Sequence, residues 1–409
     1  MNSTNTRDRV LEELMKNDGL LPLKPCWVTR DFLPPGKRLG LTEKEYDAGE
    51  RGYVCERWIV SETQADNAVF TPREGQSTIK MASGEPISLV DALKACREAL
   101  LGEVYARKHA GLDRLLKIYD YKKRLFYHIH QQKADAAKIG MNSKEEAYHY
   151  LDADLGAHPE TFFGVHPYIV KEGRQAEIFL PYLQNWNGGE DMLRHSRAYL
   201  NVVGEGFHLP PGILHAPGTA LTLELQESSD IMAVLQADIE GTRIDKALLT
   251  KHVPADELAT KKERAVLDQI DWEACADPYF YENHRLRPQP VAGPQPLGAV
   301  EEWIWYNTTR FSGTRITLQP GASMISKGLG VHGLFIWKGV GRVDSFPVEG
   351  GKVSLTDSRD EFLVTHDKAV KGTAIGNTGS EPMVIFKFFG PDINDAIVPR
   401  IKKVRRELR

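Results

Sequence analysis

Between Gly204 and His215 the chain reads Gly-Glu-Gly-Phe-His-Leu-Pro-Pro-Gly-Ile-Leu-His, a spacing of G-x5-P-x-G-x2-H. No other stretch of the 409 residues restricts the fold as tightly. Pro211-Gly212 reverses the chain in a tight turn, because proline presets φ and glycine accepts the positive φ that other residues avoid. A strand is predicted on each side of the turn. His215 then re-enters at the start of the second strand with its side chain pointing inward.

Composition narrows the classes. With 41% apolar and 26% charged residues the chain is globular, and its length suits two or three domains at ~100–200 residues each. The net charge of −4 gives no basic field for nucleic acid, and Lys402-Lys403-Val404-Arg405-Arg406 is too short to change that. Cys26, Cys55, Cys96 and Cys275 are spaced neither as a disulfide framework nor as a zinc knuckle, so reduced thiols in a cytoplasmic protein are expected. The segment Met1 to Lys16 lacks the apolar centre of a signal peptide, and no run of ~18 apolar residues exists to span a membrane.

Periodicity places the elements. Thr6 to Met15 has helical spacing, and so has Ser88 to Leu100, where Ser88 and Asp91 form a capping-box pattern ahead of Gly102. Strands are predicted at Tyr53 to Val60, Arg124 to His130, Lys144 to Leu151, Arg197 to Leu209 and Leu221 to Leu225. Residues 241–298 differ: a charged helical stretch (Asp256 to Ile270) precedes a stiff linker rich in proline, Arg287 to Pro296. Past it, residues 299–409 return to short strands between glycine-rich turns, the rhythm of a second barrel.

Potential metal donors converge on the first part. In His128-Ile129-His130 two imidazoles at i and i+2 share one strand face, roughly 6.5–7 Å apart at Cα. Glu146 lies on the next predicted strand, and His215 follows the turn. Three imidazoles and a carboxylate suit one divalent transition ion, zinc foremost with Fe, Mn, Ni or Co as alternatives, and do not suit Ca or Mg. Lys144, two residues before Glu146, shares the inward face and is a candidate proton donor or acceptor; a solvated lysine at a strand start is the other reading. Glu224 sits on the strand after the turn, as a second carboxylate of the site or as a partner of Lys144.

The order H-x-H, Glu, then Pro-x-Gly-x-x-His resembles the cupins, small antiparallel β-barrels that hold a metal in the barrel mouth. The expected fold class is therefore mainly β, with two cupin (jelly-roll β-barrel) domains and helical insertions. Residues 1–240 would form the metal-binding cupin, 241–298 a helical segment and linker, and 299–409 a second cupin. That second half has His332 and His366 but no H-x-H, and is expected to pack on the first through Trp303, Trp305 and Trp337.

More of the chain is similar to type I phosphomannose isomerase. Leu115 to Asp120 resembles that family's L-L-K-x-x-D stretch, Lys144 to Tyr148 its K-x-E-x-W/Y strand, Glu190 to Ala216 its helix, strand and turn, and Thr222 to Asp230 its E-x-Q-x-x-S-D segment. Ile375-Gly376-Asn377 resembles part of its second cupin. The resemblance implies metal ligation by His128, His130, Glu146 and His215, and proton-transfer or substrate roles for Lys117, Lys144 and Glu224. It implies a metal-dependent aldose–ketose isomerase acting on a small carbohydrate, a sugar or sugar phosphate, through an enediol. A sugar-binding cupin without catalysis and a dioxygenase using three histidines and one glutamate are the alternatives. The chain departs from the family pattern at three positions: His128 replaces glutamine, Phe126 replaces a serine near the substrate phosphate, and Val234 replaces an arginine near the reacting sugar.

Overall fold

The computed structural model describes residues 3–82, 84–151 and 154–404. Two antiparallel barrels stand back to back. In the first, a seven-stranded sheet faces a five-stranded one. Arg114–Tyr119, Glu146–Tyr150 and Thr222–Glu227 lie at the centre of the seven-stranded sheet, while His128–Ile129, Glu160–Phe163 and His215–Ala216 belong to the smaller one. The second barrel pairs a nine-stranded sheet with another of five.

Strand alternation builds both the site and the seam between barrels. Lys117, Glu146, Tyr148 and Glu224 face the interior of the first barrel. Their sequence neighbours Leu116, Ile118, Ala147, Leu223 and Leu225 point the other way, into a core shared with Trp303, Trp305, Phe335, Phe386 and Phe388 of the second. The tryptophans at 303 and 305 are thus buried where the barrels meet, and Trp337 packs at the edge of that core. Arg57 also crosses the seam, gripping Asp360 at 2.8 and 2.7 Å and Glu361 at 3.1 Å. The strand Leu20–Lys24 pairs with Glu361–Val364, so the start of the chain is stitched into the larger sheet of the second barrel.

Several local expectations are corrected. Within Arg124 to His130 only His128–Ile129 is a strand. The stretch Arg197 to Leu209 is two strands, Arg197–Leu200 and Gly206–Leu209, which belong to different sheets of the first barrel. Alternation runs through both, and only closure of the barrel shows where the chain changes sheet. The helix expected over Asp256 to Ile270 breaks at Lys262, whose φ of 52° separates Ala255–Lys261 from Arg264–Asp268. The helix Leu89–Leu101 does start after Ser88, but the Ser88 hydroxyl caps nothing and Asp91 pairs with Arg73. All four cysteines are free thiols. No described helix is long and apolar enough to cross a membrane.

Candidate metal centre

The turn that opens the site is pinned from both sides. Gly212 N–H donates to the His130 carbonyl at 2.7 Å, and the Gly212 carbonyl accepts from Asp271 N–H at 3.0 Å. Gly212 has φ +86°, and a Cβ there would meet Asp271 at 3.1 Å, so glycine suits both the angle and the approach.

His215, emerging from this turn, is the cross-strand partner of His128. The rings of His128 and His215 have centroids 4.0 Å apart, and that of His130 lies 5.0 and 5.1 Å from them. The three imidazoles bring ligand nitrogens within 4.8 Å of one another. Each ring is held through Nδ1: His128 to the Phe126 carbonyl at 2.8 Å, His130 to Ile231 at 2.7 Å, His215 to Ile213 at 2.8 Å. A carbonyl only accepts, so the proton sits on Nδ1 and each Nε2 offers a lone pair. Burial, reinforced by the other two rings, takes His128 well below the usual histidine range; burial and the Lys144 ammonium push His130 down to about 3.

Glu146 reaches the same point from the facing sheet. Its Oε2 is 3.0 Å from His130 Nε2 and its Oε1 3.1 Å from His215 Nε2. Burial works against its ionisation, but the Lys144 ammonium 3.3 Å away prevails and holds the carboxyl well below the ordinary range. The Tyr148 hydroxyl donates to Oε1. Among the described residues, His130 Nε2, His215 Nε2 and Glu146 Oε2 have no hydrogen-bond partner. Buried acceptors facing one another without a proton between them repel, and a cation among them removes the conflict. In tetrahedral zinc sites with bonds of ~2.0–2.1 Å, donor atoms stand about 3.3 Å apart, close to the 3.0 and 3.1 Å from Glu146 to His130 and His215. The donor set therefore fits zinc.

Beside the donors runs a chain of charges. Lys144 Nζ lies 3.5 Å and Lys117 Nζ 3.4 Å from Glu224 Oε1, and Lys117 approaches Glu56 at 4.0 Å. Burial and the negative Glu146 raise the Glu224 carboxyl to about 7 against the pull of both lysines. Burial disfavours the charged Lys117, but Glu224 and Glu56 outweigh it and keep it protonated above its usual range. All these groups line one pocket.

Solved structures share this architecture. The mannose 6-phosphate isomerase of Bacillus subtilis aligns over 90% of this chain and 99% of its own, at a TM-score of 0.58 and 14% identity. A variant of the phosphomannose isomerase of Salmonella typhimurium aligns over 90% and 99%, at 0.61 and 14%. A mannose 6-phosphate isomerase solved with zinc bound aligns over 91% and 100%, at 0.59 and 14%. The fold is that of the phosphomannose isomerases. In sequence, the mannose-6-phosphate isomerase of Salmonella typhimurium is 25% identical over 175 residues, which span 41% of this chain and 42% of that enzyme. No family model matches the chain.

On this phosphomannose isomerase fold the structure brings together His128, His130, Glu146, His215, Lys117, Lys144 and Glu224, all the residues singled out from the sequence. Glu224 pairs with both lysines and lies outside the three-imidazole group. Phe126 lines the pocket and meets the His128 ring edge-on at 5.3 Å, while Val234 is buried beside His128 in the sheet. Sequence reasoning missed Arg30, Glu56 and Asp230. Arg30 grips Asp230 and Glu56 with four contacts of 3.1–3.2 Å inside the pocket. Two hundred residues separate Arg30 from Asp230; Asp230 closes the E-x-Q-x-x-S-D segment, but nothing local pairs it with Arg30.

Proposed function

We propose that this chain is a metal-dependent isomerase that interconverts an aldose and its ketose, with a sugar or sugar phosphate as substrate. The reading rests on one observation: a poised carboxylate, Glu224, held between two lysines beside a buried three-histidine cluster that Glu146 faces at 3.0 and 3.1 Å. The zinc-bound neighbour and the Salmonella relative support it. A divalent ion, zinc foremost, held by His128, His130, Glu146 and His215, supplies Lewis-acid polarisation of a carbonyl and its neighbouring hydroxyl.

The chain's own groups do the proton work. A carboxyl near 7 is a base of suitable strength at neutral pH, so Glu224 takes the proton from C2 and returns it to C1. Lys144, in reach of both Glu146 and Glu224, donates a proton to O1 and then takes one from O2 as the ketose carbonyl forms, so that it ends protonated as it began. Lys117 stays charged and stabilises the ionised Glu224. The apolar rim of Phe126 and Leu125 limits water. In this reading residues 1–240 carry the site, 241–298 link, 299–409 form a supporting barrel, and the free thiols suit the cytoplasm.

The test is hydrogen exchange. Metal-loaded protein incubated with aldoses and their 6-phosphates in deuterated water should place deuterium at C2 of at least one. Full metal content with neither label nor ketose product from any of them sinks the isomerase reading.

A further inference from the structure

We infer that the sugar accepted by this pocket is uncharged, which narrows the isomerase reading and rests on it. Among the described residues lining the pocket, the cationic side chains are Arg30, Lys117 and Lys144. Arg30 has no donor to spare for a phosphate, and each lysine is held between two carboxylates that offset its charge. Arg30 has five N–H bonds and five partners: Nε and Nη2 donate to Glu56 at 3.1 and 3.2 Å, Nη1 and Nη2 to Asp230 at 3.1 Å each, and Nη1 to Asn67 Oδ1 at 2.8 Å. Lys117 stands between Glu224 and Glu56, and Lys144 between Glu146 and Glu224.

The three cations face four carboxylates, Glu56, Glu146, Glu224 and Asp230, so the protein side of the pocket carries an excess of acceptors. A phosphate dianion is itself an acceptor and finds acceptors, not free donors, along that wall, so the protein side gives it little beyond the attraction of the metal charge. A sugar hydroxyl can donate to those acceptors. The Tyr121 and Tyr148 hydroxyls of the lining already donate to Glu56 and Glu146, and Phe32, Leu125, Phe126, Pro217 and Met232 would strip a phosphate of water and give no hydrogen bond back. The same apolar carbons pack well against the C–H face of an uncharged sugar.

The full-length, zinc-loaded protein provides the test, with binding measured apart from turnover. Calorimetry compares D-mannitol and D-glucitol, which cannot react, with their 6-phosphates; at least tenfold tighter binding of a free alditol is expected. The inference is overturned if no free alditol binds more tightly than its 6-phosphate. Activity with D-mannose and D-glucose against their 6-phosphates should show the same order in kcat/KM. Turnover of the phosphates alone would overturn the inference while upholding the isomerase. Absence of turnover with every sugar would sink the isomerase reading, and the alditol comparison would still decide the charge preference. A Met232→Lys variant puts an unpaired ammonium on the half-buried rim. It should bind the 6-phosphates about tenfold more tightly than wild type, while the free alditols, which lose part of the apolar face, bind no more tightly than before; no gain for the phosphates means that a missing cation is not what excludes them, and overturns the inference.

Discussion

His128 and His215 are directly paired across two antiparallel strands, with ring centroids 4.0 Å apart. A histidine after a tight turn and a histidine 87 positions earlier thus become neighbours by sheet register alone. With each Nδ1 bound to a carbonyl two residues back, both rings turn Nε2 toward the same point.

Replacing His215 by alanine should therefore remove metal binding without unfolding the barrel. The loss in zinc affinity should exceed the ~10–100-fold that follows removal of an outer hydrogen-bond partner. Elemental analysis of purified wild type and variant, with circular dichroism as the check on folding, measures it. Full zinc content in the variant would remove His215 from the donor set.

Glu224→Gln should lower kcat by about 10²–10⁴ and leave zinc content at the wild-type level, since Glu224 pairs with Lys117 and Lys144 and stands outside the imidazole cluster. Steady-state kinetics beside metal analysis checks both halves. A variant with unchanged kcat excludes Glu224 as the base.

The seam between barrels predicts a pH effect remote from the metal. Burial raises the Glu361 carboxyl to about 7 despite the Arg57 guanidinium next to it. Because its pKa is higher folded than unfolded, the contribution to stability is fully present below about 4.5 and is lost as pH rises through about 7. A shift of that size corresponds to roughly 3 kcal/mol. Urea denaturation of Glu361→Gln between pH 5 and 8 should show a shallower fall in stability with pH than the wild type; parallel curves would contradict the assignment.

Trp305→Ala should cost about 3–5 kcal/mol, because a fully buried indole packed near Phe386 leaves a cavity between the barrels. The urea midpoint reports it. A loss below 1 kcal/mol would mean that the shared core is not a unit of stability.

Sequence alternation made much of the site readable. The i, i+2 histidines and the Pro-x-Gly-x-x-His turn placed their donors on inward faces, and the structure brings Glu146, Lys117, Lys144 and Glu224 to the same pocket. It was less informative about where strands stop. The stretch before His128 looks like a continuous strand, yet only His128–Ile129 pairs. Propensity describes how a segment fits a pleated surface, and whether a partner strand runs alongside is a tertiary matter.

The sequence by itself determined which side chains share a face, because a strand's period of two is local and covalent geometry enforces it. Only the tertiary structure decided which charges saturate one another. Arg30 meets Asp230 and Glu56, and Arg57 meets Asp360, across spans from 26 to 303 residues. Such pairs are chosen by the cost of burying a charge unpaired, and that cost acts only once the barrels have closed around it.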